Sequence, residues 1–533
     1  MSEKEYIVVV KKGVDLEVFD ADLASDTGDS TIPERAVTVA NPRLGSKRMT
    51  HWMLTDDEAQ ALKNDPRVLD VEIPVEQRDD IVIHPRAIQT GTFNKTNSST
   101  GINWGLNRCV SASNNWPSTI TEKVAAEYPY ALDGTGVDVV IQDSGIEPNH
   151  PEWQDTNSNS RLKQIDWFTE SGISGTQSAS FYSDTDGHGT HCAGISAGKT
   201  YGWAKNAHIY AQKVSGLEGP ADSSGISTAN CFDTIRLWHS AKTNGRPTVV
   251  NMSWGYSTTL IGTPDPTSGT HYNDNTGVMD TWTYGDTGYT TDNNIWQNTG
   301  FVPNQRSGNR TIPVRLSSVD AEIDDMIDAG IHVIIAAGND YTVSAKDTAT
   351  AADHFNDSIQ IGGGTYYYHR GSSPRSTTNE GLVVGSIDAD LQGESDKIAP
   401  YSTRGPAVDI LAPGSNIVSA CSTASIYTTA AYPPDTTYKI TNIDGTSFAA
   451  PQVAGLAALY LQVLPNLTTS ELKTKILNDS LSVVYDNPNA YQGPPLNYLN
   501  YGNGLYGTPN KMMFSKYGRN SSFEIKGSLN VNM

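Results

Sequence analysis

Cysteine is scarce in this chain: four residues among 533, at Cys109, Cys192, Cys231 and Cys421, with no CxxC spacing. That excludes a small disulfide scaffold and a thiolate zinc cluster, and free thiols are the expectation. Charge is thin too, at 18% of residues against about 25% in soluble domains. Cations are the scarcer sign, with 37 Lys and Arg against 59 Asp and Glu and a net charge of −22. A chain so poor in Lys and Arg lacks the footprint of a phosphate-backbone partner, so no nucleic acid is expected. Long hydrophobic runs are missing as well. The longest, Phe448 to Leu461, is broken by Pro451, Gln452 and Gly455 and falls short of the roughly 20 residues of a membrane span, so no membrane partner is expected. Finally, Met1-Ser-Glu-Lys-Glu5 has no basic n-region, and the apolar run Tyr6 to Val10 stops at Lys11. No secretory signal is read there, and a soluble chain that is not conventionally secreted is expected.

What is present divides the chain. Residues 1–84 read as a small α+β module: Ile7 to Val10 is a strand, Thr55-Asp-Asp-Glu58 is a capping box opening a helix, and Val68 to Ile73 alternates like a second strand. Residues 85–101 are rich in Thr, Asn, Ser and Gly, which is linker chemistry. From about 134 onward, short β-branched runs (Val137 to Ile141, Thr248 to Met252, Ile331 to Ala336) alternate with helical stretches. This pattern predicts an α/β fold with a mostly parallel twisted sheet covered by helices on both faces. The helix through Phe232, Ile235, Trp238 and Ala241 is expected to stop at Gly245, and that through Leu316, Val319, Ile323, Met326 and Ile327 at Gly330. Residues 256–315 are rich in Tyr and Trp but show no regular period, and 341–378 contain the Gly362-Gly-Gly364 run. Both read as insertions.

Three motifs sit at strand ends or helix starts. Asp143 closes the strand Val139-Val-Ile-Gln-Asp143, His188 lies in Asp186-Gly-His-Gly-Thr-His191, and Ser447 begins an Ala-rich buried helix within Asp444-Gly-Thr-Ser-Phe448. A hydroxyl needs a base to become a nucleophile, and that base needs a carboxylate to fix its tautomer. Charge developing on a substrate carbonyl needs a donor, for which Asn339 in Ala336-Ala-Gly-Asn339 is the candidate. Asp143, Asn339 and Ser447 each have a plainer reading, as a turn carboxylate, a turn amide and an N-cap, and His191 reads as a packed helix residue. His188 and His191 also read as a metal pair, but no H-E-x-x-H pattern accompanies them.

Together these motifs resemble those of the subtilisin-like serine proteases, the subtilases, over about residues 102–480. The chain order Asp, His, Ser is the subtilisin order that is general knowledge of the family. The resemblance implies a serine endopeptidase with catalytic Asp143, His188 and Ser447 and oxyanion donor Asn339. It also implies an N-terminal propeptide-like inhibitor module, cleaved near residues 84–101. Ser253, Trp254 and Gly255, with Val214, Ser215 and Gly216, resemble two edge strands that pair with an extended peptide. Asp340 resembles a primary-pocket rim position, and Asp388 resembles a calcium ligand; no cofactor is required for the chemistry. The expected partners are protein or peptide substrates and the chain's own N-terminal module.

Residues 481–533 have no counterpart in that resemblance and read as an irregular C-terminal extension. The missing signal and the aromatic insertion sustain a rival reading: a catalytically latent or structural subtilase-fold component of a larger assembly. On that view the protein is cytoplasmic in the producing cell or carried in a virus particle.

Overall fold

The computed structural model describes residues 3–25, 28, 31–43, 45–78, 80–85, 103–112, 130, 132–219, 224–260, 266–273, 276–290, 295, 310–340, 342–346, 353–388, 396–486 and 504–517. The 85–101 linker therefore lies outside the described residues, apart from Pro85.

In the N-terminal module the strand Lys4–Val10 pairs antiparallel with Met49–Leu54 on one side and Val68–Glu72 on the other, and Thr38–Asn41 adds an outer edge. Alternate residues of Lys4–Val10 face opposite ways. Tyr6, Val8 and Val10 pack with Phe19, Leu23, Ala59 and Leu62 of the two helices Leu16–Ala24 and Asp56–Leu62. Ile7 and Val9 pack instead with Met49 and Ala321, a residue of the large domain. A strand buried on both faces needs apolar side chains at consecutive positions, which accounts for the run Tyr6 to Val10. Thr55 and Glu58 form the expected capping box.

The large domain is built on a nine-stranded sheet. Its centre is parallel, in the order Leu162–Lys163, His208–Lys213, Asp138–Asp143, Thr248–Met252, His332–Ala336, Leu382–Asp388. Ile410–Pro413 joins Leu382–Asp388 in parallel, and Asp396–Ile398 joins it antiparallel. Val139, Ile141, Val249 and Ile334 point to the face covered by the helices His188–Ala197 and Thr446–Val463. Val140, Val250 and Ile335 point to the face covered by Thr228–Ala241 and Ser317–Asp328. The mostly parallel, doubly covered sheet is the expected one.

The helix stops divide. Gly330 has φ +87 and its N–H bonds the Ile327 carbonyl, closing Ser317–Asp328 as expected. Gly245 does not close Thr228–Ala241: Lys242 has already turned to extended backbone, and Gly245 sits in the following turn at φ +65.

The two insertions are not separate, nor is the first without strands. Ser268–Asn273 and Val278–Thr283 form a hairpin, Ser358–Ile361 and Gly364–Tyr367 form another, and the two hairpins join in one four-stranded antiparallel sheet. Trp282, Ile295, Ile312, Ile359, Ile361 and Tyr368 make its core. Of the C-terminal extension, residues 504–517 lie against the large domain without a regular element. Met512 and Met513 are fully buried and Met512 bridges Leu411 and Leu481.

Candidate active site

Asp143 ends a central strand, and His188 begins a helix that crosses above it. Glycine allows that approach: a Cβ on Gly189 would stand 2.1 Å from the Gly145 carbonyl oxygen. At this separation the His188 Nδ1–H donates to Asp143 Oδ1 at 2.7 Å, both side chains being fully buried. Asp143 Oδ1 also accepts from the Ser144 N–H at 2.7 Å. His188 Nε2 has no hydrogen-bond partner. Burial by itself would lower the His188 pKa, but the carboxylate of Asp143 outweighs it and holds the imidazole well above its usual value. Cys192 sits between the motifs, with Sγ 3.9 Å from His188 Nδ1 and 3.4 Å from the Ser447 carbonyl. Burial pushes its thiol up to about 11, so it is neutral near pH 7.

Ser447 is the second residue of the helix Thr446–Val463. Its Oγ donates to the Ser253 carbonyl at 3.0 Å, and Ser253 Oγ donates back to the Ser447 carbonyl at 2.8 Å. Asn339 is held beside it: Oδ1 accepts from both the N–H and the hydroxyl of Thr446 at 2.9 Å. Thr446 Oγ1 in turn accepts from the Gly338 N–H at 3.1 Å. The strand ends and helix starts thus bring Asp143, His188, Ser447 and Asn339 to one side of the sheet.

Sequence reasoning missed two supports. Thr446 was inside a quoted motif but had no role, although it fixes the Asn339 amide. Asp184 accepts from the Gly187 and Thr190 N–H groups at 2.8 and 2.9 Å, from Thr190 Oγ1 at 2.5 Å and from Ser144 Oγ at 2.9 Å. It pins the start of the His188 helix to the turn after Asp143. Its position two residues before the D-G-H triplet was the only available signal. His191 is a packed helix residue, with Nε2 within 3.1 Å of the Ile417 carbonyl and burial pushing its pKa down to about 3.

Ser253 and Trp254 are fully buried, so their side chains do not reach the surface. Trp254–Leu260 is a strand paired antiparallel on one side with Arg310–Pro313 and on the other with Val82–Pro85, in the register Trp254 to Pro85 and Gly255 to His84. In the other segment Val214 is buried and bridges Ile226, Ser215 N–H donates to the Ile226 carbonyl at 2.9 Å, and Gly216 turns the chain at φ +88. Asp340 is partly exposed beside Asn339, and its carboxylate lies over Gly338, where a Cβ would meet Oδ2 at 2.7 Å. Asp388 ends its strand opposite Lys397, next to residues outside those described. Among the described residues it belongs to neither group of converging metal-ligand side chains. All four cysteines are free and buried.

A subtilase family model matches residues 134–504, and the chain belongs to that family of subtilisin-like serine proteases. It is 26% identical over 470 residues to a cuticle-degrading serine protease of Arthrobotrys oligospora, covering 86% of this chain and 80% of that one. It is 25% identical over 436 residues to an extracellular serine proteinase of a Thermus species, covering 82% and 72%. Among solved structures, a cold-adapted subtilisin-like serine proteinase aligns with a TM-score of 0.45 at 22% identity, over 78% of this chain and 99% of that one. These relatives correct one expectation. They are named as extracellular or cuticle-degrading enzymes, and the expectation of a non-secreted, cytoplasmic or virus-borne location does not stand against those names. Among the described residues, no helix is long and apolar enough to cross a membrane.

Proposed function

We propose that this subtilase is an active serine endopeptidase, working through Asp143, His188 and Ser447 and made as a zymogen. The observation that carries the reading is the 2.7 Å bond between two fully buried groups, Asp143 and His188. It fixes the Nδ1–H tautomer and leaves Nε2 as the base. Ser447 Oγ swings from the Ser253 carbonyl to His188 Nε2, gives up its proton and attacks the peptide carbonyl. The oxyanion is held by the Asn339 amide and the Ser447 N–H, each such donor contributing about 3–4 kcal/mol. His188 returns the proton to the leaving amine, and water then hydrolyses the acyl-enzyme by the same relay.

Two contacts support the zymogen. Val82–Pro85 lies along the strand Trp254–Leu260 where an extended peptide would add. Glu72 caps the helix Ser317–Asp328, accepting from the Ser317 N–H at 2.7 Å and the Ser318 N–H at 3.1 Å. The module thereby blocks the cleft until the chain is cut beyond it. The substrates are proteins or peptides, and Asp340 on the rim favours a basic side chain next to the scissile bond. Calcium at Asp388 would be structural, and its removal would lower Tm without altering the triad.

Labelling by a fluorophosphonate, with intact mass on the unmutated chain and Ser447→Ala, tests the reading. Labelling at Ser447 and loss of the N-terminal module in the unmutated chain alone are expected. Absence of both in the unmutated chain, with calcium present, would overturn it.

A further inference from the structure

Outside the triad, three imidazoles and one carboxylate converge in the sheet made by the two insertions. The register brings them there. Thr270 pairs with Ser358 and Ser358 with Tyr367, so antiparallel geometry sets Asp357 beside His271 on one flank and beside Tyr368 and His369 on the other. His354 opens the single turn His354–Asn356 that leads into Asp357. The ligand atoms of His354, Asp357 and His369 all lie within 4.8 Å of one another. His354 Nδ1 is 2.9 Å and His369 Nδ1 3.9 Å from Asp357 Oδ2.

A tetrahedral ion with bonds of about 2.0–2.1 Å holds its ligand atoms about 3.3 Å apart, and those two separations straddle that value. The surroundings are those of a supported site. Asp357 is completely buried, and its second oxygen, Oδ1, accepts the Tyr272 N–H at 2.5 Å. Tyr368 stands edge-on to His369 at 4.4 Å, and Tyr272 edge-on to His354 at 5.2 Å, fixing both rings. His271, also buried, carries an Nδ1 without a hydrogen-bond partner beside the same carboxylate. His354 is about one-third exposed, at 36%, which leaves a way in from solvent.

We infer that His354, Asp357 and His369 bind one divalent transition-metal ion of the zinc type, with water completing the tetrahedron. Two imidazoles and one carboxylate form a nitrogen-rich donor set that suits zinc over calcium or magnesium, which take oxygen. The ion would close the loop from His354 to His369 and, through the bond from Tyr272 to Asp357, tie the second hairpin to the first. The chain then continues to Ser373, whose carbonyl accepts the Tyr256 N–H at 3.2 Å on the strand that flanks the cleft. The role is a structural staple for the insertion sheet.

The test uses the full chain carrying Ser447→Ala, stripped of metal and titrated with zinc by calorimetry, with bound metal counted by mass spectrometry. His188 and Cys192 also offer donors, so His188→Ala is a control. One zinc per chain is expected to survive His188→Ala, and to bind about 10-fold or more weakly in His369→Ala, Asp357→Asn and His354→Gln. Zinc should raise Tm in the parent and not in these three, any one of which suffices if another fails to fold. Equal zinc binding in parent and variants, no binding at all, or equal stabilisation by calcium would overturn the assignment.

Discussion

Ser447 and Ser253 exchange hydrogen bonds, each hydroxyl donating to the other's backbone carbonyl, at 3.0 and 2.8 Å. The proposed nucleophile is therefore parked on the segment that leads into the strand Trp254–Leu260, and His188 Nε2 has no partner. In the proposed mechanism a peptide adding along Trp254–Leu260 brings its scissile carbonyl to the same segment, and the serine turns from the Ser253 carbonyl towards the imidazole.

Asp143→Asn should lower kcat by about 10⁴-fold, the scale for losing the carboxylate of such a triad. The pH profile carries a second signature. The base must be neutral and Asp143 raises the His188 pKa, so activity in the parent is lost as pH falls through a value above 6.5. In Asp143→Asn that limb should move to lower pH. An acid limb in the same place for both proteins in kcat/KM against pH would contradict the account.

Asn339→Ala should cost about 10²–10³ in kcat with KM little changed. Thr446→Val keeps the N–H that holds Asn339 Oδ1 but removes the hydroxyl, so a smaller loss, about 10-fold, is expected in kcat. Steady-state kinetics on one peptide distinguishes the two, and a rise confined to KM would exclude this positioning role.

Arg43 in the N-terminal module pairs with Asp233 at 2.9 Å and with Glu322, all three side chains buried. Arg236 also pairs with both carboxylates, so Arg43→Ala removes one of their two cations without leaving either unpaired, and it should weaken docking by less than the roughly 3–5 kcal/mol of a stranded buried charge. Arg43→Met should cost less. In a Ser447→Ala background, amide exchange of Lys4–Val10 should speed up while that of Thr248–Met252 stays slow; unchanged exchange in both strands would contradict the interface.

Burial raises the Asp184 pKa from 3.8 to about 6, against the pull of its four donors. Its folded value exceeds its unfolded one, so its contribution to stability is full below about pH 4 and is lost as pH rises through about 6. At about 1.4 kcal/mol per pH unit the change across that window is about 3 kcal/mol. Asp184→Asn cannot titrate, so the difference in Tm between it and its parent, both carrying Ser447→Ala, should drift in favour of the variant between pH 4 and 7. A constant difference would show that Asp184 does not titrate there.

The sheet and the four motif residues were legible because each depends on neighbours a few positions away: β-branched runs for strands, glycines flanking His188, an apolar helix after Ser447. The insertion sheet was not. Ser268–Asn273 owes its place to Ser358–Ile361, far along the chain, and a half-exposed strand of Gly, Thr, His and Tyr has little alternation to read. The available signal was Gly362-Gly363, which turn at φ +58 and +87 between paired Ile361 and Gly364, a two-residue hairpin loop. Asp184 and Thr446 were opaque for a related reason, since a polar side chain acquires its donors only once separate elements meet. Gly245 misled because Lys242 leaves the helix first.

The strand Val82–Pro85 belongs to the same chain as the strand it pairs with. Under the proposed zymogen reading it is a tethered competitor of substrate, present at an effective concentration of about millimolar whatever the protein's dilution. A peptide in solution competes against that figure as long as the tether is intact, and against the true concentration of free module once it is cut. On that reading, switching on is a matter of dilution as much as of cleavage, and a crowded preparation would stay quieter than a sparse one.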